Sequence, residues 1–138
     1  MAARLVSDPE YLKVEIELVT ARLYLQRGQV RLAEAAIREA AAGVAGIAYP
    51  TLDADVIDTT ALVLEATRRP EMAARALGMA DRLRGGGTAS GKAPVVLGER
   101  LTQALGTENF RWLYDEGRAT GLGATGVWAL TADDEPLR

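Results

Sequence analysis

Apolar residues recur every three or four positions along the first part of the chain. Leu12, Ile16, Val19 and Leu23 draw one stripe on a helix of about 3.6 residues per turn. The spacing predicts a helix that starts at Ser7-Asp8-Pro9-Glu10, where Ser7 or Asp8 can accept a bond from a free backbone N–H and Pro9 needs none. It runs to about Arg27, and Gly28 is placed to end it. A second helix follows from about Gln29 to Ala42, with Leu32, Ala33, Ala36, Ile37 and Ala40 facing inward. So short a break between two amphipathic helices implies an antiparallel hairpin. Gly43, Gly46 and Pro50 interrupt the pattern, and a third helix is expected from about Leu52 to Thr67. Arg68-Arg69-Pro70 separates it from a fourth, about Glu71 to Arg84, faced by Ala73, Leu77 and Ala80.

The remainder is less regular. Residues 85–93 are rich in glycine and read as a flexible linker. A fifth helix is expected over about 94–105, with Leu97, Leu101 and Leu105 on one side, and a sixth over about 108–118, faced by Phe110, Leu113 and Tyr114. Glycines 117, 121, 123 and 126 then weaken any continuation, leaving a short helix around Val127–Leu130 and an acidic tail over 131–138. The reading is all-α and of one domain: hairpin 1 over about 8–42, hairpin 2 over about 52–84, then capping helices over about 94–130.

The hairpins repeat. With Gly28 set against Arg68, an offset of 40 residues, Ala21 falls on Ala61, Tyr24 on Leu64, Ala33 on Ala73, Ile37 on Leu77 and Ala40 on Ala80. Small residues recur where two helices cross closely, and larger ones where a gap needs filling, which is the logic of a stacked helical-hairpin array.

Composition narrows the chemistry. The 138 residues include 25 alanines, the best helix former, and only seven aromatics. With neither cysteine nor histidine, disulfides, thiolate nucleophiles, Cys/His zinc sites and histidine acid–base catalysis are excluded. A net charge of −3 and an isoelectric point near 5.0 argue against direct nucleic-acid binding. No apolar run approaches the roughly 20 residues of a membrane span, and no secretory signal is visible, so a cytoplasmic setting is expected.

Ala21, Tyr24, Gly28, Ala33, Ile37 and Ala40 match the small/large pattern of a tetratricopeptide repeat, which the first hairpin resembles. The second departs from it: Arg68 stands where that family has glycine, and the 40-residue offset exceeds the usual 34. The order Pro70 to Arg84, Leu101 to Leu105, then Gly106, Phe110 and Tyr114-Asp115-Glu116-Gly117-Arg118-Ala119 looks like the C-terminal helical-repeat region of actinobacterial transcriptional regulators. These are the antibiotic-regulatory and LuxR-type proteins that also carry an ATPase core and a DNA-binding domain. The resemblance covers roughly Gly28 to Leu122 and implies a short solenoid with C-terminal capping helices, serving as a sensor or docking region. It departs at the glycines after Ala119 and the glycine-rich 85–93 stretch.

Two motifs invite chemistry and are read structurally. Gly86 to Ala93 nearly matches a phosphate loop, but Ala93 stands where magnesium needs a hydroxyl, and a helix rather than a strand precedes it. Asp53, Asp55 and Asp58 lack the glycine turn of a calcium loop and suit a helix start. No enzyme activity, cofactor or metal is expected. Of the tryptophans, Trp112 is assigned to the core and Trp128 to a less anchored segment. In a tetratricopeptide-type stack the first helix of each hairpin lines a groove, here Glu15, Leu18, Arg22 and Leu25 with Asp55, Asp58, Leu62 and Glu65. An apolar stripe with acidic edges would dock an amphipathic or basic helix or peptide. The expected function is non-catalytic protein–protein interaction, with a protein or peptide or other domains of a longer regulator as partner. The alternatives are a small-molecule site between the hairpins and the Trp112 helix, and a structural homodimerisation module.

Overall fold

The computed structural model of the chain describes residues 9–47, 49–85 and 91–131. Every regular element among them is an α-helix: α1 (Pro9–Gln26), α2 (Val30–Val44), α3 (Pro50–Ala66), α4 (Pro70–Arg84), α5 (Ala93–Leu105), α6 (Thr107–Thr120) and α7 (Ala124–Thr131). Proline opens α1, α3 and α4 and is the second residue of α5. A first-turn N–H has no acceptor within its helix, so the donor that proline lacks is not missed there. No helix among the described residues is long and apolar enough to cross a membrane.

Helix α1 packs along α2, and α3 along α4. The two turns use the same hydrogen bonds. Gln29 N–H donates to the Tyr24 carbonyl (2.9 Å) and Arg69 N–H to that of Leu64 (2.8 Å); Ala33 donates to Gln29 and Ala73 to Arg69. Ala21, Ala33 and Ala40 are fully buried, and so are Ala61, Ala73 and Ala80 at the 40-residue offset. Ala33 and Ala73 therefore share the same turn hydrogen bond and the same burial at the 40-residue offset.

The turns differ in one residue. Gly28 has φ 72° and Arg68 φ 64°. Glycine enters this left-handed region freely, whereas a side-chain-bearing residue loses about 1–2 kcal/mol there. Arg68 is exposed. Arg68→Gly is expected to raise stability by about 0.5–1 kcal/mol after the extra freedom of the unfolded glycine is subtracted, measured by urea unfolding.

Several sequence expectations need correction. Leu12, Ile16, Val19 and Leu23 do not face the core: they are 42%, 65%, 61% and 43% exposed, while Val14, Leu18 and Ala21 are buried. Helix α1 carries apolar residues on two faces, and the one with small Ala21 lets α2 approach. Leu32 is likewise exposed. Gly43 does not end α2 but lies within it, because Val14 Cγ2 occupies the space a Cβ would need. Gly117 and Gly126 lie inside α6 and α7, with Arg75 and Leu122 packed where their side chains would be. Gly43, Gly117 and Gly126, read as breakers, are points of close contact, while Gly121 does end α6 at φ 65°.

Helix α4 also packs along α6, through Gly78 and Gly117. A Cβ on Gly78 would run into the Tyr114 carbonyl oxygen, and one on Gly117 into that of Arg75. Helix α7 then returns to α2 and α3. Its first N–H, on Ala124, donates to Asp53 Oδ1 of α3 (2.8 Å). This bond starts α7 three residues before the segment whose side chains had suggested it. The two tryptophans exchange their expected places. Trp128 is buried, with the Arg38 guanidinium 4.1 Å from its ring centroid, while Trp112 is 60% exposed. The buried positions of α6 are Leu113 and Gly117, one helical turn apart, and Trp112 lies about 100° round the helix from Leu113. Thr131, placed in the tail by its sequence, is the buried last residue of α7. The rest of the tail and linker residues 86–90 lie outside the described residues.

A candidate docking groove and its charges

The first helices of the hairpins touch, and α3 in turn touches α5. Arg22 and Leu25 of α1, Leu62 and Glu65 of α3, and Ala93 and Arg100 of α5 line a depression of about 410 Å³. A neighbouring one of about 240 Å³ shares Arg22 and Leu62 and adds Asp58, Thr59 and Lys92. Five of the eight residues expected in a groove, namely Arg22, Leu25, Asp58, Leu62 and Glu65, thus meet along one trough.

The other three do not take part as expected. Leu18 is 5% exposed and belongs to the core, so it has little surface left for a partner. Glu15 lines a different surface, with Leu12, Ile16 and Val19. Asp55 accepts a hydrogen bond from the Arg84 guanidinium (2.8 Å), which also donates to Asp58. The Arg84 side chain is only 7% exposed, so this bridge between α3 and α4 is largely removed from water.

The acidic edges are therefore engaged, with Arg84 alone serving both aspartates. Arg100 grips Glu65 with two nitrogens, Nε at 2.9 Å and Nη2 at 2.7 Å, which is the strong fork geometry of a guanidinium on a carboxylate. Arg22 donates through Nε to the Thr59 hydroxyl (3.2 Å). Among the described residues, neither Arg22 nor Lys92 has a carboxylate in salt-bridge range, although Arg22 acts on the Asp58 charge at longer range, and the four cations Arg22, Arg84, Lys92 and Arg100 outnumber the three carboxylates Asp55, Asp58 and Glu65. Arg84, Lys92 and Arg100 are site residues that sequence reasoning missed. Asp55 and Asp58, three apart, share one helix face, but nothing local to either helix says which cation meets them.

Burial pushes the Asp58 carboxyl above its usual range, more than Arg84 pulls it back. Burial likewise raises Asp53, partly offset by the Ala124 N–H. The three aspartates do not converge on one point: Asp53 caps α7 while the other two hold Arg84. No group of three or more His, Cys, Asp or Glu among the described residues is placed to hold a metal ion. Of the phosphate-loop-like stretch, Gly91 and Lys92 lead directly into α5.

A second, smaller cavity of about 200 Å³ lies among α3, α4, α5 and α6. Asp58, Asp81, Arg84 and Tyr114 face it alongside apolar Leu77 and Phe110. Burial, reinforced by Asp81, pushes the Tyr114 phenol up to about 12. Arg84 Nε is buried without a hydrogen-bond partner.

The protein is thus all-helical, with a trough between its first helices and a small polar-floored cavity behind it. Compared with known protein families, curated proteins and solved structures, the chain matches none of them.

Proposed function

We propose that this chain is a non-catalytic docking module: a short TPR-like stack that holds a segment of a partner protein in the trough between α1, α3 and α5. One observation carries the reading. Leu25 and Leu62 are half-buried in a depression of about 410 Å³, flanked by Arg22 and Lys92, neither of which forms a salt bridge among the described residues. Apolar pockets supply affinity to such a site and the flanking charge selects the partner. The sign reverses the sequence expectation. With Asp55, Asp58 and Glu65 already held by arginines, the trough suits an amphipathic segment that carries acidic rather than basic groups. The resemblance to the helical-repeat region of bacterial transcriptional regulators supports a regulatory setting, in which other domains of a longer regulator supply that segment.

The test uses fluorescently labelled helical peptides with leucines at i and i+4 and either glutamate or lysine beside them. The glutamate peptide is expected to bind about tenfold more tightly, the equivalent of about 1.4 kcal/mol. Leu25→Glu with Leu62→Glu should abolish binding without unfolding the chain. Equal binding of both peptides, or binding that survives the double substitution, would remove the trough as the site.

The cavity below Arg84 supports a second reading, a small polar ligand whose acceptor atom satisfies the free Arg84 Nε. Such a ligand would raise the melting temperature of wild type and Leu25/Leu62 variant alike, which separates the two sites.

A further inference from the structure

The outward face of α1 is unlike the rest of the surface. Leu12, Ile16, Val19 and Leu23 are 42–65% exposed, and their spacings of four, three and four are those of a two-helix seam. Helix α1 stands at one end of the array, with its other side against α2 and α3. An unpaired seam of four large apolar residues is costly in water, and a second helix bearing the same repeat would bury it.

We propose that the occupant is a second copy of this chain, with the two α1 helices packed antiparallel about a two-fold axis. Charge decides both partner and direction. Beside the seam lie Glu15 and Arg22, one heptad apart on the same flank, with Lys13 and Thr20 on the other and Arg27 in the turn just past the end of α1. In an antiparallel pair the like flanks meet. Glu15 then faces the other copy's Arg22, and the two-fold axis makes the contact twice. Lys13 falls opposite the neutral Thr20. A parallel pair would instead oppose Arg22 to Arg27 and leave Glu15 against Thr20. Self-complementarity of this kind is what a symmetric interface requires, since the same patch must serve both sides. Arg22 can take part because its bond to Thr59 uses Nε alone. The apolar seam lies outside the α1–α3–α5 trough, and Arg22 borders both, so a dimer would present two troughs in which Lys92 is the flanking cation left outside the dimer contact.

Sedimentation equilibrium of the 138-residue chain tests the proposal. The wild type is expected to be dimeric at concentrations on the order of 100 μM. Ile16→Lys should weaken the dimer at least about 100-fold, because the substitution is felt twice across the axis. Ile16 is 65% exposed, so the circular-dichroism spectrum and melting temperature of the monomer should be unaffected. Arg22→Glu should also weaken the dimer, and adding Glu15→Arg to it should restore association by exchanging the charges. Direction is read by disulfide formation, since the natural chain has no cysteine. Ile16→Cys mixed with Val19→Cys should give the mixed disulfide in excess. A wild type that stays monomeric, a dimer indifferent to Ile16→Lys, a charge exchange that fails to restore it, or predominant 16–16 and 19–19 disulfides would each overturn the proposal. So would a monomer whose seam instead binds a purified protein of different sequence.

Discussion

Gly78→Ala is expected to destabilise the protein by at least about 3 kcal/mol, and Gly117→Ala by a similar amount. The sign is the informative part. In an exposed helix interior, alanine is better than glycine by about 1 kcal/mol, so propensity alone predicts a gain at both positions. Here the added Cβ would overlap backbone: the Tyr114 carbonyl from Gly78 and the Arg75 carbonyl from Gly117. No rotamer change relieves that overlap, so α4 and α6 must separate along their length and loosen the packing around Leu77 and Leu113. Gly98 is the control. A Cβ there meets only the Phe110 ring, at 3.9 Å, and Gly98→Ala should be neutral or stabilise by about 0.5–1 kcal/mol. Urea unfolding of the three variants checks the ordering. Because Gly78 and Gly117 serve one crossing, the double substitution should cost less than the sum of the two.

The second large effect is expected at Arg84. Arg84→Met removes the shared cation of Asp55 and Asp58 and leaves the buried Asp58 carboxylate without its partner, at a cost of about 3 kcal/mol at pH 7. The cost should depend on pH in a defined direction. Burial already raises Asp58 above the ordinary value of 3.8, and loss of Arg84 raises it further. A carboxyl whose folded pKa is raised contributes its stability fully below the unfolded pKa and loses it as the pH rises through the folded one. The deficit of Arg84→Met should therefore be greatest at neutral pH and shrink as the pH is lowered towards about 4. Adding Asp58→Leu should recover most of the loss at pH 7, because the charge that needed a partner is gone. Unfolding curves at pH 7 and pH 4.5 for the single and double variants decide it. A deficit independent of pH, unrelieved by Asp58→Leu, would show that Arg84 acts through packing of its methylene stem instead.

The helices were legible because their signals are local. Pro9, Pro70 and Pro94 mark starts, Gly28 and Gly106 mark ends, and the small residues at the 40-residue offset are buried in both hairpins, whereas Pro50, which reads as a breaker, opens α3. Helix orientation was legible only where a helix has one apolar face. On α1 both faces carry leucine, isoleucine or valine, and the side that docks is decided by the shape of α2, which the spacing of α1 does not contain. Trp112 and Trp128 were exchanged for a related reason: size and aromaticity favour burial, yet α6 meets α4 through Gly117, where no large side chain fits. At the candidate site, α1 and α3 followed from the repeat, but the contribution of α5 and the pairing of the charges did not. Asp55, Asp58 and Glu65 look like a free acidic rim until Arg84 and Arg100 arrive from 26 to 35 residues away.

The return of α7 changes how the molecule should come apart. In an open array of helix pairs each unit leans only on its neighbours, so the ends fray first and melting proceeds in stages. Here α7 packs on both α2 and α3, with Asp53 and Ala124 joined across 71 residues of chain. Helix α7 cannot loosen without disturbing α2 and α3. A helix remote in sequence thus ties the two hairpins together, and the described helices should melt as one cooperative unit.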